Sequence, residues 1–163
     1  MVVPTVVVTG MLSQLTRVDG ADVVHIPWGI PDEFMQAPPL RESRQGPLRL
    51  LYAGRLSEEK GANALIGTLA TVGDVHLSIA APANEYATCE ADLARTGCRL
   101  SSLGWLPRPD LWRAFADHDL LLVPSTTLEA FGLVAVEAQA CGLPVAYRPV
   151  PGLTEVVGGS AST

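Results

Sequence analysis

Along the chain, short unbroken apolar runs alternate with stretches whose apolar residues recur every three or four positions. The runs LRLLYAG (48–54), VHLSIA (75–80), CRLSSLG (98–104), LLLVP (120–124) and PVAYR (144–148) have the length and side-chain type of buried strands. Between them, Leu65, Ile66, Leu69 and Val72 recur at helical spacing, as do Tyr86, Cys89 and Leu93 before Gly97, then Leu111 and Phe115, then the segment that follows Phe131. Strand and helix in steady alternation, with connections long enough for crossovers, predict an α/β fold: a doubly wound, mostly parallel Rossmann-like sheet with helices on both faces. In such a sheet, ligands bind at the carboxyl ends of the strands.

Composition narrows what those strand ends can do. The chain has 163 residues, 48% of them hydrophobic, and a formal charge of −6. Its eleven Lys and Arg residues form no cluster, which argues against a nucleic-acid partner and for a small anion held locally. Three cysteines, Cys89, Cys98 and Cys141, lack metal-type spacing and read as buried thiols in a reducing compartment. No apolar run approaches the roughly 18 residues of a membrane span, and no basic leader precedes the opening apolar run. The expectation is a cytoplasmic protein, with peripheral membrane association of a longer enzyme left open.

The strand ends lack the glycine-rich dinucleotide fingerprint, the GxxxxGK[ST] phosphate loop and the Gly-x-Ser-x-Gly elbow. They carry instead AGRLSEEKG (53–61), LGWLPRPD (103–110) and PSTTLEAFG (124–132), three loops expected to define one crevice. Arg55 and Lys60, between Gly54 and Gly61, suit a diphosphate as fork and point charge, although two loop cations also fit a solvated surface. The segment EAFGLVAVEAQACG (129–142) reads as a helix apolar nearly all round: Leu133, Val136 and Ala140 share one face, and Val134, Ala138 and Cys141 the adjacent one. Gly142 and Pro144 end it. In such a helix Glu137 is expected to be buried and to require a partner. Glu129 lies just before it, and Gly132 removes a side chain where unpaired backbone N–H groups would offer an anion site. Eight helical residues rise roughly 12 Å. That is about the reach from a hexose hydroxyl past a diphosphate to a ribose, so the two acids read as partners for the hydroxyls of a nucleotide sugar.

Taken together, GRLSEEKG, PSTTLEAFGLVAVEAQACGLPV some 65 residues on, and then GLTEVV resemble the C-terminal, donor-binding domain of GT-B glycosyltransferases of family 4, over about residues 20–160. The family's glutamate, seven residues, glutamate motif is matched by Glu129 and Glu137, and Phe131, Gly132 and Leu133 match its flanks. The resemblance implies a retaining, metal-independent hexosyltransferase without a cofactor, whose donor substrate is a nucleoside diphosphate sugar. It implies that Arg55 and Lys60 hold the diphosphate and stabilise it as it departs. The amides around Gly132, Leu133 and Val134 would hold its distal phosphate, Glu129 the donor hexose, and Glu137 the ribose. Gly54 closes the strand before the cations, and the loop of Gly104, Trp105 and Leu106 would cradle the base. A guanine reader would want a carboxylate at its N1–H; the base loop offers both Arg108 and Asp110, and the reading leans to UDP.

Family members pair two such domains, whereas here VVHIPWGIPDEF (23–34), similar to their interdomain segment, comes about twenty residues into the chain. Residues 1–35 are therefore expected to be a remnant of the N-terminal acceptor domain with the interdomain segment. Residues 36–163 are then a nucleotide-sugar-binding domain cut short at GGSAST, which binds donor but is inactive alone. Residues 1–19 are expected to pack on their own domain or on a second copy. His25, His76, His118, Trp28 and Trp112 read as structural, with His118 a cation at a helix end, while Trp105 is either packed or stacked on the base. Competing readings are a nucleotide-sugar epimerase, an inverting GT-B transferase, and a non-catalytic interaction module on the same fold.

Overall fold

The computed structural model describes residues 5–8, 22–25, 30, 32, 39–40, 45–127, 129 and 131–157. Two short strands, β1 (Thr5–Val8) and β2 (Asp22–His25), pair in parallel, Thr5 opposite Asp22 and Val8 opposite His25. Trp28 and the Pro-Gly turn expected after β2 lie outside the described residues, as do most of residues 1–19 and GGSAST.

All five expected strands form, as β3 (Leu48–Ala53), β4 (Val75–Ala80), β5 (Arg99–Ser102), β6 (Leu120–Val123) and β7 (Val145–Tyr147). They make one parallel sheet in the order β5-β4-β3-β6-β7. The helices are α1 (Ala62–Leu69), α2 (Ala83–Ala94), α3 (Arg108–Asp117), α4 (Leu133–Ala140) and the short α5 (Leu153–Val157). From β3 the chain winds outward through β4 to β5, then returns to β6 on the other side and continues to β7. The order of strands therefore reverses between β3 and β6, the point where open α/β sheets bind ligands.

Both faces of the sheet are covered because successive strand residues point to opposite sides. Leu50, Tyr52, Leu77 and Ile79 pack with Leu65, Leu69 and Leu93 of α1 and α2. The intervening Leu51, with Leu121 and Val123, packs with Trp112 and Phe115 of α3, Ala135 and Ala138 of α4 and Leu153 of α5. α1 ends at Leu69, so Val72 falls beyond it and is exposed instead of joining the helical face.

At the opposite, amino edge of the sheet, Arg49 and Asp119 tie β3 to the start of β6. Arg49 donates from Nη2 to Oδ1 at 2.9 Å, and its backbone N–H donates to Oδ2, also at 2.9 Å. His76 sits on β4 with its Nε2 2.7 Å from the Ser101 hydroxyl on β5, a structural position as expected. His118 differs from expectation. It is buried, its Nδ1 is 2.6 Å from the Ala114 carbonyl, and burial pushes its pKa down, so it is not a cation completing the helix end. The thiols also divide: all three are free, but only Cys141 is buried, and Cys89 and Cys98 are partly exposed.

Candidate functional site

A crevice of about 460 Å³ opens at the carboxyl ends of β3 and β6. Its floor is Tyr52 to Arg55 and Leu122 to Ser125, the strand ends on either side of the reversal point. The three loops singled out from the sequence wall it. Gly54, Arg55 and Lys60 come from the first, Trp105 and Leu106 from the second, and Glu129, Phe131 and Gly132 from the third, continued by Leu133, Val134 and Glu137 of α4. Of the residues expected to form the site, Gly104 alone is not part of the wall. Tyr52 and Leu111 join it without having been anticipated. Their sequence signal was only that of a strand end or a helix face, which does not tell crevice from core.

The first and third loops are joined tightly. Gly61, the N-cap of α1, has φ +80°, and a Cβ there would lie 2.0 Å from the Pro124 carbonyl oxygen. The Thr126 N–H donates to the Glu59 carbonyl at 3.0 Å, and its hydroxyl to that of Glu58 at 3.1 Å. Lys60 Nζ reaches Glu129 Oε2 at 2.6 Å, and the buried Ser125 hydroxyl donates to the same oxygen at 3.0 Å. The cation and the first acid of the motif thus face each other across the seam. Below them the buried Tyr52 hydroxyl donates to the Arg55 carbonyl, and burial raises its pKa, keeping it a neutral donor. Arg55 itself is 62% exposed and donates from Nε to Glu85 Oε1 at 3.0 Å. The other oxygen of Glu85, at the start of α2, accepts the Leu56 N–H at 2.7 Å, so one carboxylate steadies both the loop and its cation.

α4 is less uniformly buried than its composition predicts. Ala135, Glu137 and Ala138 are buried, but Leu133, Val134, Val136 and Ala140 are only partly so. Leu133 and Val134 line the crevice, so their apolar surface borders open space. The N–H groups of Gly132, Leu133 and Val134 have no backbone acceptor among the described residues, the usual state of a helix start. Gly132 has a requirement that was not expected. Its φ is +72°, and a Cβ there would sit 2.5 Å from Leu153 Cδ2, so its bareness lets α5 approach.

Glu137 is 4% exposed, as expected, and it pairs with Arg108, which was not anticipated, the Arg108 Nε lying 2.9 Å from Oε1. Burial raises the carboxyl's pKa and Arg108 opposes that rise. The other charged group of that loop, Asp110, is held 2.8 Å from Arg113, and neither Arg108 nor Asp110 lines the crevice. Trp105 does, and is 64% exposed, which decides against the packed reading. Trp112 belongs to the core, as expected.

Residues 38–161 match the family described as glycosyl transferases group 1. The chain belongs to that family. A D-inositol 3-phosphate glycosyltransferase of Mycobacterium sp. (strain KMS) is 38% identical over 115 residues, 65% of this chain and 26% of the relative. A glycogen synthase of Mycobacterium tuberculosis is 34% identical over 123 residues, 72% of this chain and 30% of the relative. The chain therefore spans less than a third of the length of these two curated relatives. Among solved structures, Anabaena Alr3699/HepE in complex with UDP and glucose superposes with a TM-score of 0.66 at 24% identity, over 93% of this chain and 46% of that one. The group 1 domain thus has the Rossmann-like architecture of a GT-B C-terminal half. No group of three or more His, Cys, Asp and Glu able to hold a metal occurs among the described residues, and no described helix is long and apolar enough to cross a membrane.

Proposed function

We propose that this chain is the donor-binding half of a retaining, metal-independent family 4 hexosyltransferase, taking its sugar from a nucleoside diphosphate sugar. The observation that carries the reading is the gathering of Arg55, Lys60, Glu129, Glu137 and the start of α4 around one crevice at the strand-order reversal. Arg55 and Lys60, with the amides of Gly132 to Val134, which have no backbone acceptor among the described residues, are placed to receive a diphosphate and stabilise it as it departs. Lys60 exchanges part of its contact with Glu129 when the phosphates arrive. That exchange leaves Glu129 an acceptor for a hexose hydroxyl and Glu137 one for the ribose diol. Two supports favour UDP. The structural relative binds UDP and glucose, and Asp110, the acid that would mark a guanine, is engaged by Arg113 outside the crevice.

Residues 36–163 form the donor domain in this reading, and residues 1–35 belong with the acceptor side and the segment between domains. The remaining length of a relative would supply the acceptor site, so this chain binds donor without turning it over. Three free cysteines favour a cytoplasmic setting, and self-association through residues 1–19 stays part of the proposal. Calorimetric titration of the 163-residue chain with UDP, GDP and ADP is the test, with UDP expected to bind most tightly. Arg55→Ala or Lys60→Ala should weaken UDP binding about 10- to 100-fold, the worth of one charge-assisted contact, and leave uridine binding unchanged. Equal losses for UDP and uridine would discredit the phosphate roles. Saturation by none of the three would favour a non-catalytic interaction module.

A further inference from the structure

Glu137 combines two properties that conflict. It lines the crevice, yet it is almost wholly buried among apolar neighbours of α4 and the sheet. A carboxylate in such a place drifts toward its neutral form, and a neutral acid accepts hydroxyl hydrogen bonds without charge assistance, so they are weaker. Arg108 is the group that counters the drift. It is the first residue of α3, half exposed, held between Pro107 and Pro109; its Nε lies 2.9 Å from Oε1, and it does not line the crevice. The two prolines restrict the backbone from which the side chain extends. Asp110, which would otherwise compete for the guanidinium, is engaged by Arg113.

We propose that Arg108 is a positioning residue: paired with Glu137 without itself lining the crevice, it holds that carboxylate in place, so that the remaining lone pairs face a vicinal diol. The proposal rests on the ribose role given to Glu137 above. The base loop then has a second duty, since the segment that carries Trp105 and Leu106 to the crevice also carries the cation that sets the charge state of the acid opposite.

The charged groups acting on Glu137 are few; burial and Arg108 are the influences resolved there. This makes the test clean. The carboxyl carbon of Glu137 can be followed by 13C NMR from pH 4 to 8, its signal identified as the one lost in Glu137→Gln. In Arg108→Ala the titration should move to higher pH, and in Arg108→Lys, which keeps the charge without the planar fork, it should return most of the way. Affinity for UDP should follow. Arg108→Ala should lose more affinity at the acid end of this range than at the alkaline end, because the unpaired acid is neutralised first as pH falls. The nucleotide's own phosphate titration is common to both proteins and cancels in the ratio.

An unmoved Glu137 titration in Arg108→Ala overturns the proposal, and so does an affinity loss of equal size at both ends of the range. A titration that moves in a chain that binds none of UDP, GDP and ADP overturns the diol-directed part and the functional reading together, leaving a structural ion pair. Arg108 is half exposed and at a helix start, so its truncation leaves the core intact, and Arg108→Lys controls for any general loss of fold.

Discussion

Gly61 shows how little tolerance the site has for a single methyl group. Its φ of +80° already strains any L side chain by about 1 kcal/mol, and the added Cβ would lie 2.0 Å from a backbone carbonyl that is itself fixed at the end of β6. Gly61→Ala should therefore destabilise the fold by about 3 kcal/mol or more, read as a lowered midpoint in urea. Gly132 is also left-handed, but what its Cβ would meet is the tip of the buried Leu153 side chain and not a backbone carbonyl. Gly132→Ala should cost less than Gly61→Ala, and the reverse order would refute this account of the two contacts. Neither difference is visible in the sequence, where both are simply glycines in loops; a close approach between segments 60 residues apart is a tertiary fact.

Among the elements, α4 and the β5–α3 connection were legible to different depths. The end of α4 and the burial of Glu137 follow from periodicity and from the cost of placing a charge in an apolar helix, but the helix begins only at Leu133, so the span from Glu129 to Glu137 is not eight helical residues. The partner did not follow, because Arg108 and Asp110 look alike as loop charges and only the geometry assigns one to Glu137 and the other to Arg113. The β5–α3 connection also presents Trp105 to the crevice with most of its ring in solvent. Trp105→Ala should leave the melting temperature nearly unchanged, as exposed substitutions do, and weaken UDP binding by about 1 to 3 kcal/mol if the ring stacks on the base. A loss of stability with affinity intact would make the residue a packing element after all.

For the molecule as a whole, the sheet was readable because its central strands β3, β4 and β6 are largely buried and so appear as mostly apolar runs. The order of strands was not, since β3 beside β6 is decided by which helices cover which face. Two buried groups set opposing pH dependences on this framework. Burial depresses the His118 pKa, against the Ala114 carbonyl and with Arg49, Asp117 and His76 nearby, so its contribution to stability is complete above the ordinary imidazole value of 6.5 and is lost as pH falls. Glu137 is raised, so its contribution is complete below the ordinary carboxylate value of 4.5 and is lost as pH rises through its folded value. Between these limits the two slopes oppose each other. Thermal melts from pH 4.5 to 7 should show His118→Gln losing stability with rising pH relative to the parent chain, and Glu137→Gln gaining it. Parallel curves for both variants and the parent would contradict the assignment.

The seam of Gly61 on Pro124 and of Thr126 on Glu58 and Glu59 also governs how the molecule could be recombined. A chimera that takes residues 54–61 from one relative and 124–132 from another would join surfaces that were never fitted to each other, whereas both segments moved together travel as a cassette. The stretch 103–107 has no backbone hydrogen bond to either segment among the described residues, which makes it the part that can be exchanged without disturbing the other two.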